Sequence, residues 1–414
     1  MNKISIQRDR LALVLGTGGG ALLTMIWMAW AGRVLGPAKS SDLYGGVFLI
    51  FAVYMVGHPL NGVTARFSAL WHRQAEGAKS RQLHQGLMRW LVKAAVVFAM
   101  LFLLTGDWQR SVLNFDSYWA LGWAQVAAWL VLVLSVSRGV LRGVGAFSSF
   151  AGTMVLEPAL RLGCGVLLLW WLPEVSWAMA AYVFASLVTI VFARRQVDGV
   201  IEAADAAEIP REVYRFALPM LLMAMADAAY QNVDVLIAKR ALQATQAGQF
   251  GAMATLTRAL AVLVQPFALL VIPLLAGRQV RQNDRTLWKL TGVFLACATI
   301  PMAAFFVFAE PLLTGIFGDG YAGASQWLPW HALGSLACFV SLMLAQAFAA
   351  IGRFGFLWGY CGIALVMSVG LLWAGDDPLL LTQVGTWAKL ACLVLTLATW
   401  LWTGNVHRAE AIEE

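Results

Sequence analysis

Charge is scarce in this chain. Only 12% of its 414 residues are Asp, Glu, Lys or Arg, against about 25% in a soluble domain. That is too little to coat a surface facing water, which excludes a soluble globular enzyme and a disordered chain. Cysteine is as sparse. Cys164, Cys297, Cys338, Cys361 and Cys392 all lie in apolar runs, with no CxxC pair and no Cys/His cluster. A disulfide scaffold is excluded, and no metal site or cofactor is expected. Walker A and Gly-x-Ser-x-Gly motifs are also missing, which argues against ATP hydrolysis and hydrolase chemistry.

What is abundant is apolar. The chain is 60% hydrophobic with 19 Trp, and its mean hydropathy is +0.72. A membrane-crossing helix needs about 20 apolar residues. Twelve runs meet that length: Leu11–Ala31, Leu43–Val63, Leu87–Thr105, Tyr118–Ser137, Phe147–Trp171, Trp177–Ala193, Phe216–Ala238, Gln249–Pro273, Trp288–Ala309, Leu328–Ala349, Phe356–Trp373 and Leu381–Thr403. Ser137–Phe147, with Arg138 and Arg142 among glycines, reads as a short loop. The expected fold class is all-α, a polytopic membrane protein. The first run follows Lys3, Arg8 and Arg10 but is too long for a signal-peptide core of about 7–15 residues, so it reads as an uncleaved span.

The net charge of +7 marks topology rather than nucleic-acid binding. With the N-terminus inside, 20 of the 29 Lys and Arg fall on cytoplasmic loops. Five fall outside: Arg33, Lys39, Arg110, Lys239 and Arg240. This positive-inside bias predicts that both termini are cytoplasmic.

The chain also divides in two. A shift of 206 residues places Ala31-Gly32-Arg33 on Ile237-Ala238-Lys239 and Tyr44-Gly45 on Phe250-Gly251. The expected units are a six-helix lobe over 1–195, a cytoplasmic linker over 196–213 and a second six-helix lobe over 214–414. Each lobe has an even number of spans, so the two insert in the same orientation. That predicts a pseudo-two-fold axis along the membrane normal, with sites between the lobes near the midplane.

Polar residues deep in a span are costly and mark candidate sites. The seventh span carries Asp227, Gln231 and Asp234 at spacings of four and three, which predicts one shared helical face. Asp227 lies roughly 16 Å into the span, near the midplane. The eighth contributes Arg258, expected to pair with Asp227 or Asp234. The fifth holds Glu157 and Arg161, four apart, as an intrahelical pair beside the bend at Pro158. Lys93, Gln125 and Lys389 read as single polar residues nearer the interfaces, and Arg66 as a loop charge or the rim of a cytoplasmic vestibule.

Several motifs together resemble the polysaccharide flippases of the MOP superfamily. They are Arg33-Val-Leu-Gly-Pro37 with Tyr44-Gly45, Arg142-Gly143 with Gly145, Leu218-Pro219, Asn232-Val-Asp-Val-Leu-Ile237, Gly248-Gln-Phe-Gly251 with Arg258, and Glu310-Pro-Leu-Leu with Phe317-Gly318 and Tyr321. The twelve-span plan is most similar to Wzx-type flippases of undecaprenyl-pyrophosphate-linked oligosaccharides. The resemblance implies two lobes around a central cavity, rocking between inward- and outward-open states in the bacterial inner membrane. It implies membrane lipids and a lipid-linked oligosaccharide as partners, a polysaccharide polymerase as a candidate partner, no nucleic acid, and a monomer.

Substrate-binding residues expected in the cavity are Arg258, Glu157, Arg161, Gln231 and Arg66. Asp227 and Asp234 are expected to carry the coupling proton or cation. Lipid II flippases use an Asp of the seventh span for a cation, and Asp234 matches it. Two alternatives stand beside this. A MATE-like cation-coupled exporter predicts an acid-lined cavity, yet the first two spans hold no midplane acid. An integral membrane glycosyl- or acyltransferase would use a loop acid pair, for which Asp376-Asp377 is the candidate.

Overall fold

A computed structural model describes residues 3–74, 76–201, 211–261, 280–350 and 353–413. Inside lipid every backbone N–H and C=O must be satisfied within the segment, which leaves helices as the solution for apolar runs of this length. The described residues form α1 (Lys3–Arg73), α2 (Gly77–Val112), α3 (Tyr118–Gly143), α4 (Phe147–Trp171), α5 (Val175–Asp198), α6 (Arg211–Ala241), α7 (Ala244–Thr257), α8 (Val280–Val307), α9 (Ala309–Phe317), α10 (Leu328–Ala350), α11 (Leu357–Ala374) and α12 (Pro378–Glu413). A 3-10 turn, Asp319–Gln326, joins α9 to α10.

Ten of these helices are long and apolar enough to cross a membrane. The 71-residue α1 holds the first two expected spans, folded about Gly36. Gly36 sits at φ 73°, ψ 167°, a backbone state that suits glycine, and Pro37 follows it. The eighth expected span is seen only in part, because 262–279 lie outside the described residues. What is seen departs from one continuous helix: α7 ends at Thr257, and Arg258 caps it. The expected linker, 196–213, falls between α5 and α6, and 202–210 are outside the description.

The large apolar exposure suits lipid. In α2, Leu103 and Leu104 are 76% and 82% exposed. Trp358 and Trp373 stand out at the two ends of α11, about 22 Å apart by helical rise, matching two interfacial aromatic belts.

Helices α1–α5 pack as one lobe and α6–α12 as the other, and α1 carries the principal contacts between them, reaching α6, α7, α9 and the 3-10 turn. Much of that contact is a seal at the end of the bundle carrying Gly36. The Tyr321 hydroxyl donates to the Gly32 carbonyl at 2.7 Å and lies 2.8 Å from Ser40 Oγ. Gln249 Nε2 donates to the Gly320 carbonyl at 2.8 Å.

Gly248 and Gly251 of α7 make the close approach achievable. A Cβ on Gly248 would strike the Pro37 carbonyl, and one on Gly251 the Tyr44 ring. Gly248→Val is therefore expected to hold the lobes apart at this end. A cysteine at position 40 in a cysteine-free background should then react with a water-soluble maleimide at least about tenfold faster, as a shift of about 1.4 kcal/mol in the closed–open balance dictates. An unchanged rate would mean that the seal forms without this contact.

Candidate functional site

A cavity of ≈ 210 Å³ lies between the lobes. From the first lobe, α1 contributes Thr24, Met25, Met28, Phe51, Tyr54 and His58, α3 contributes Arg138, and α4 contributes Glu157 and Arg161. From the second, α6 contributes Gln231, and α7 and its cap contribute Thr255 and Arg258. Four of the five expected substrate residues thus share one cavity: Arg258, Glu157, Arg161 and Gln231. Arg66 does not; it is exposed on α1 outside the cavity.

The charges divide unevenly. Glu157 and Arg161 pair as expected, at 3.4 Å, but Glu157 has a closer partner in Arg138 at 3.0 Å. Arg138 also donates to the Thr153 carbonyl at 2.7 Å and is buried. The loop expected at Arg138 is not there. The residue lies in the last third of α3, which runs on to Gly143. A guanidinium can sit there because a carboxylate and a carbonyl replace its water.

Arg161 is held more loosely. It donates to Thr24 Oγ1 at 2.5 Å and lies 4.3 Å from the Tyr182 ring centroid, and its buried Nε–H has no partner among the described residues. Gln231 Nε2 is a second buried donor without a partner among them. Two unfilled donors in one charged cavity are groups that an acceptor-rich ligand would satisfy.

Arg258 overturns an expectation. Neither Asp227 nor Asp234 pairs with it. It donates to the Gln231 carbonyl at 2.6 Å and to Asn232 Oδ1 at 2.5 Å, and stacks over Phe48 and Phe51 at 4.0 and 4.6 Å. Among the described residues no carboxylate lies within salt-bridge reach of it. The expected face on α6 is shared but broad, and its two edges meet different surroundings. At about 100° per residue, Asp227 and Asp234 nearly eclipse each other, while Gln231 is rotated by about 40° to 60° from them. That rotation puts Gln231 on the cavity wall and both acids inside the second lobe.

There, Asp227 accepts from the Tyr360 hydroxyl at 2.5 Å and has no cation within reach among the described residues. Asp234 is bound on three sides: Lys389 Nζ at 2.8 Å, His331 Nε2 at 3.2 Å and the Val235 N–H at 2.9 Å. Lys389 is thus a buried ion-pair partner, not an interfacial lysine. Lys239, expected in an outer loop, is also buried, 2.7 Å from Asp42 and 3.1 Å from Ser41 Oγ. Sequence reasoning misses Asp42, Arg138 and His331. The available signal for Asp42 is a lone acid shortly after the Gly36-Pro37 kink.

The loop acid Asp377 accepts from the Leu379 and Leu380 N–H groups at 2.8 and 3.2 Å. It caps the start of α12, the turn role its position before Pro378 suggests.

No protein-family model matches this sequence, and no curated protein does. Solved structures do. One is the inward-facing conformation of a multidrug resistance MATE family transporter of the MOP superfamily, with TM-score 0.77 and 17% identity over 98% of each chain. The fold is that of the MATE transporters. The outward-facing conformation of a multidrug resistance MATE family transporter of the MOP superfamily matches at TM-score 0.66 and 18% identity, over 99% of this chain and 96% of that one. A MATE protein in the bent conformation matches at 0.67 and 14%, over 98% and 97%. The MATE-type fold accounts for the all-helical, two-lobed architecture.

Proposed function

We propose that the chain is an alternating-access flippase that moves an undecaprenyl-pyrophosphate-linked oligosaccharide across the bacterial inner membrane, for polysaccharide synthesis. The observation that carries this is the charge of the cavity. Three arginines face it, and one carboxylate offsets one of them. The surplus is one positive charge from each lobe, one left over in the Arg138–Glu157–Arg161 cluster and the other on Arg258. A diphosphate diester has two negative charges to set against them, and its oxygens would fill the donors that Arg161 and Gln231 leave open. Planar guanidinium groups suit phosphate, and the dry setting strengthens the contact.

Bound between the lobes, the head group would be carried as they rock, while the polyprenyl tail stays in lipid. Asp227 is the residue we assign to the coupling proton, since its carboxyl has a hydroxyl donor and no cation among the described residues. Both termini then face the cytoplasm. The chain works as a monomer, beside a polysaccharide polymerase that consumes its product.

The second reading, a cation-coupled drug exporter, draws on the multidrug transporters that share the fold. An Arg-rich wall repels organic cations, which favours the first.

Proteoliposomes decide between them. A short-chain polyprenyl-diphosphate oligosaccharide should become accessible to an external glycosidase at least about tenfold faster than in protein-free vesicles, a barrier difference of about 1.4 kcal/mol or more. Ethidium should not be transported. Ethidium efflux without lipid flipping would reverse the assignment.

A further inference from the structure

Asp234 sits at the meeting point of four helices of the second lobe. It is 2% exposed on α6; Lys389 of α12 is 3% exposed and His331 of α10 is 7% exposed. Behind His331, Thr257 Oγ1 of α7 lies 2.8 Å from Nδ1 and Ser335 Oγ of α10 lies 3.4 Å from it. A carboxylate this dry needs a counter-charge in contact. Here the counter-charge is one ammonium on a four-carbon tether that passes Gly334, where a Cβ would meet the lysine stem at 3.4 Å. Its oxygen neighbours are the carboxylate atoms of Asp234, of the kind that hold hard monovalent ions, while the Thr257 and Ser335 hydroxyls face the far ring nitrogen of His331.

We propose that Lys389 is a resident counter-ion filling a monovalent-cation site centred on Asp234, and that truncating it exposes this site to sodium or potassium. The ammonium is covalently supplied, so occupancy does not depend on ion concentration. The intact chain therefore draws on no bulk cation at this carboxylate. The binding site stands apart from the transport assignment. Only its consequence, that coupling does not run through Asp234, rests on the flippase reading.

The test is thermal unfolding of the purified full-length chain in detergent, at constant ionic strength in sodium, potassium or choline chloride. The wild type and Lys389→Arg should melt at the same temperature in all three salts. Lys389→Ala should melt lower in choline. In sodium or potassium it should regain about 2 °C at a tenfold excess over the dissociation constant. Lys389→Ala with Asp234→Asn should lose that ion-specific gain.

A wild-type response to one cation that vanishes in Asp234→Asn would overturn the proposal. So would a folded Lys389→Ala with equal melting in all three salts. If Lys389→Ala aggregates in choline but is monodisperse in sodium or potassium, the ion has replaced the tether and the proposal holds. Aggregation of both Lys389→Ala and Lys389→Ser in every salt would also count against it, because an exposed site should be rescued by an ion. None of these readouts depends on the substrate.

Discussion

Arg258→Ala should reduce lipid-diphosphate flipping to background while the protein persists in the membrane at near wild-type amount. The two halves of that result follow from different contacts. For stability, Arg258 donates to the Gln231 carbonyl and to Asn232 Oδ1 and stacks on Phe48 and Phe51, with no carboxylate among the described residues depending on it. Truncation orphans no buried charge and costs about 1–2 kcal/mol.

For function, the substrate loses one of two surplus cations in a poorly solvated cavity. Truncating one side of a desolvated charge pair costs about 2–5 kcal/mol, and each 1.4 kcal/mol is about tenfold. A loss of about 300-fold is expected in the glycosidase-accessibility assay, at the middle of that range. Arg258→Lys should fall between, because it keeps the charge but not the planar fork. Arg138→Ala is the contrasting control. It strips Glu157 of its nearest cation and should lower membrane abundance as well as transport. Flipping by Arg258→Ala close to the wild-type rate would remove this residue from the substrate site.

Lys239→Met should swing the protein toward the state open at the Gly36 end. Lys239 belongs to α6 and Asp42 to α1, so their 2.7 Å contact crosses the lobe boundary. Asp42 additionally accepts the Asp116 and Ser117 N–H groups at 3.1 and 3.3 Å, which ties the pair to the start of α3. In the closed state, Lys239→Met leaves a buried carboxylate with backbone donors alone. In the open state that carboxylate meets water.

Removing one partner of a buried pair costs about 3–5 kcal/mol. That approaches the roughly 5.5 kcal/mol that takes a two-state balance from 1:99 to 99:1. Spin-label distances across the seal, between the exposed positions 39 and 319, should lengthen in Lys239→Met. They should return to the wild-type distribution in Lys239→Met with Asp42→Asn, because a neutral pair restores the dry interface. If both variants keep the short distance, the seal is held by Tyr321 and the glycine contacts instead.

The architecture is legible in the residues because lipid enforces it. Apolar runs of spanning length must become helices when no water is present to satisfy the backbone. The break between the first two spans, the candidates Glu157, Arg161, Gln231 and Arg258, and the turn role of Asp377 follow from residue types and local spacing. Pairing between distant helices is not legible. Arg138 reads as a loop charge because two arginines among glycines look solvated, and Glu157 becomes its partner only when α3 and α4 pack. Lys389 and Asp234 are 155 positions apart, and Lys239 and Asp42 are 197 apart. No periodicity within one helix reports on such distances.

The sequence by itself determined the solvent, the helices and the stock of buried charges. Tertiary packing decided which charges cancel. A buried ion is defined by what touches it, so the packing left Arg161 and Arg258 as cavity cations, locked Asp234 to Lys389, and kept Asp227 apart from both.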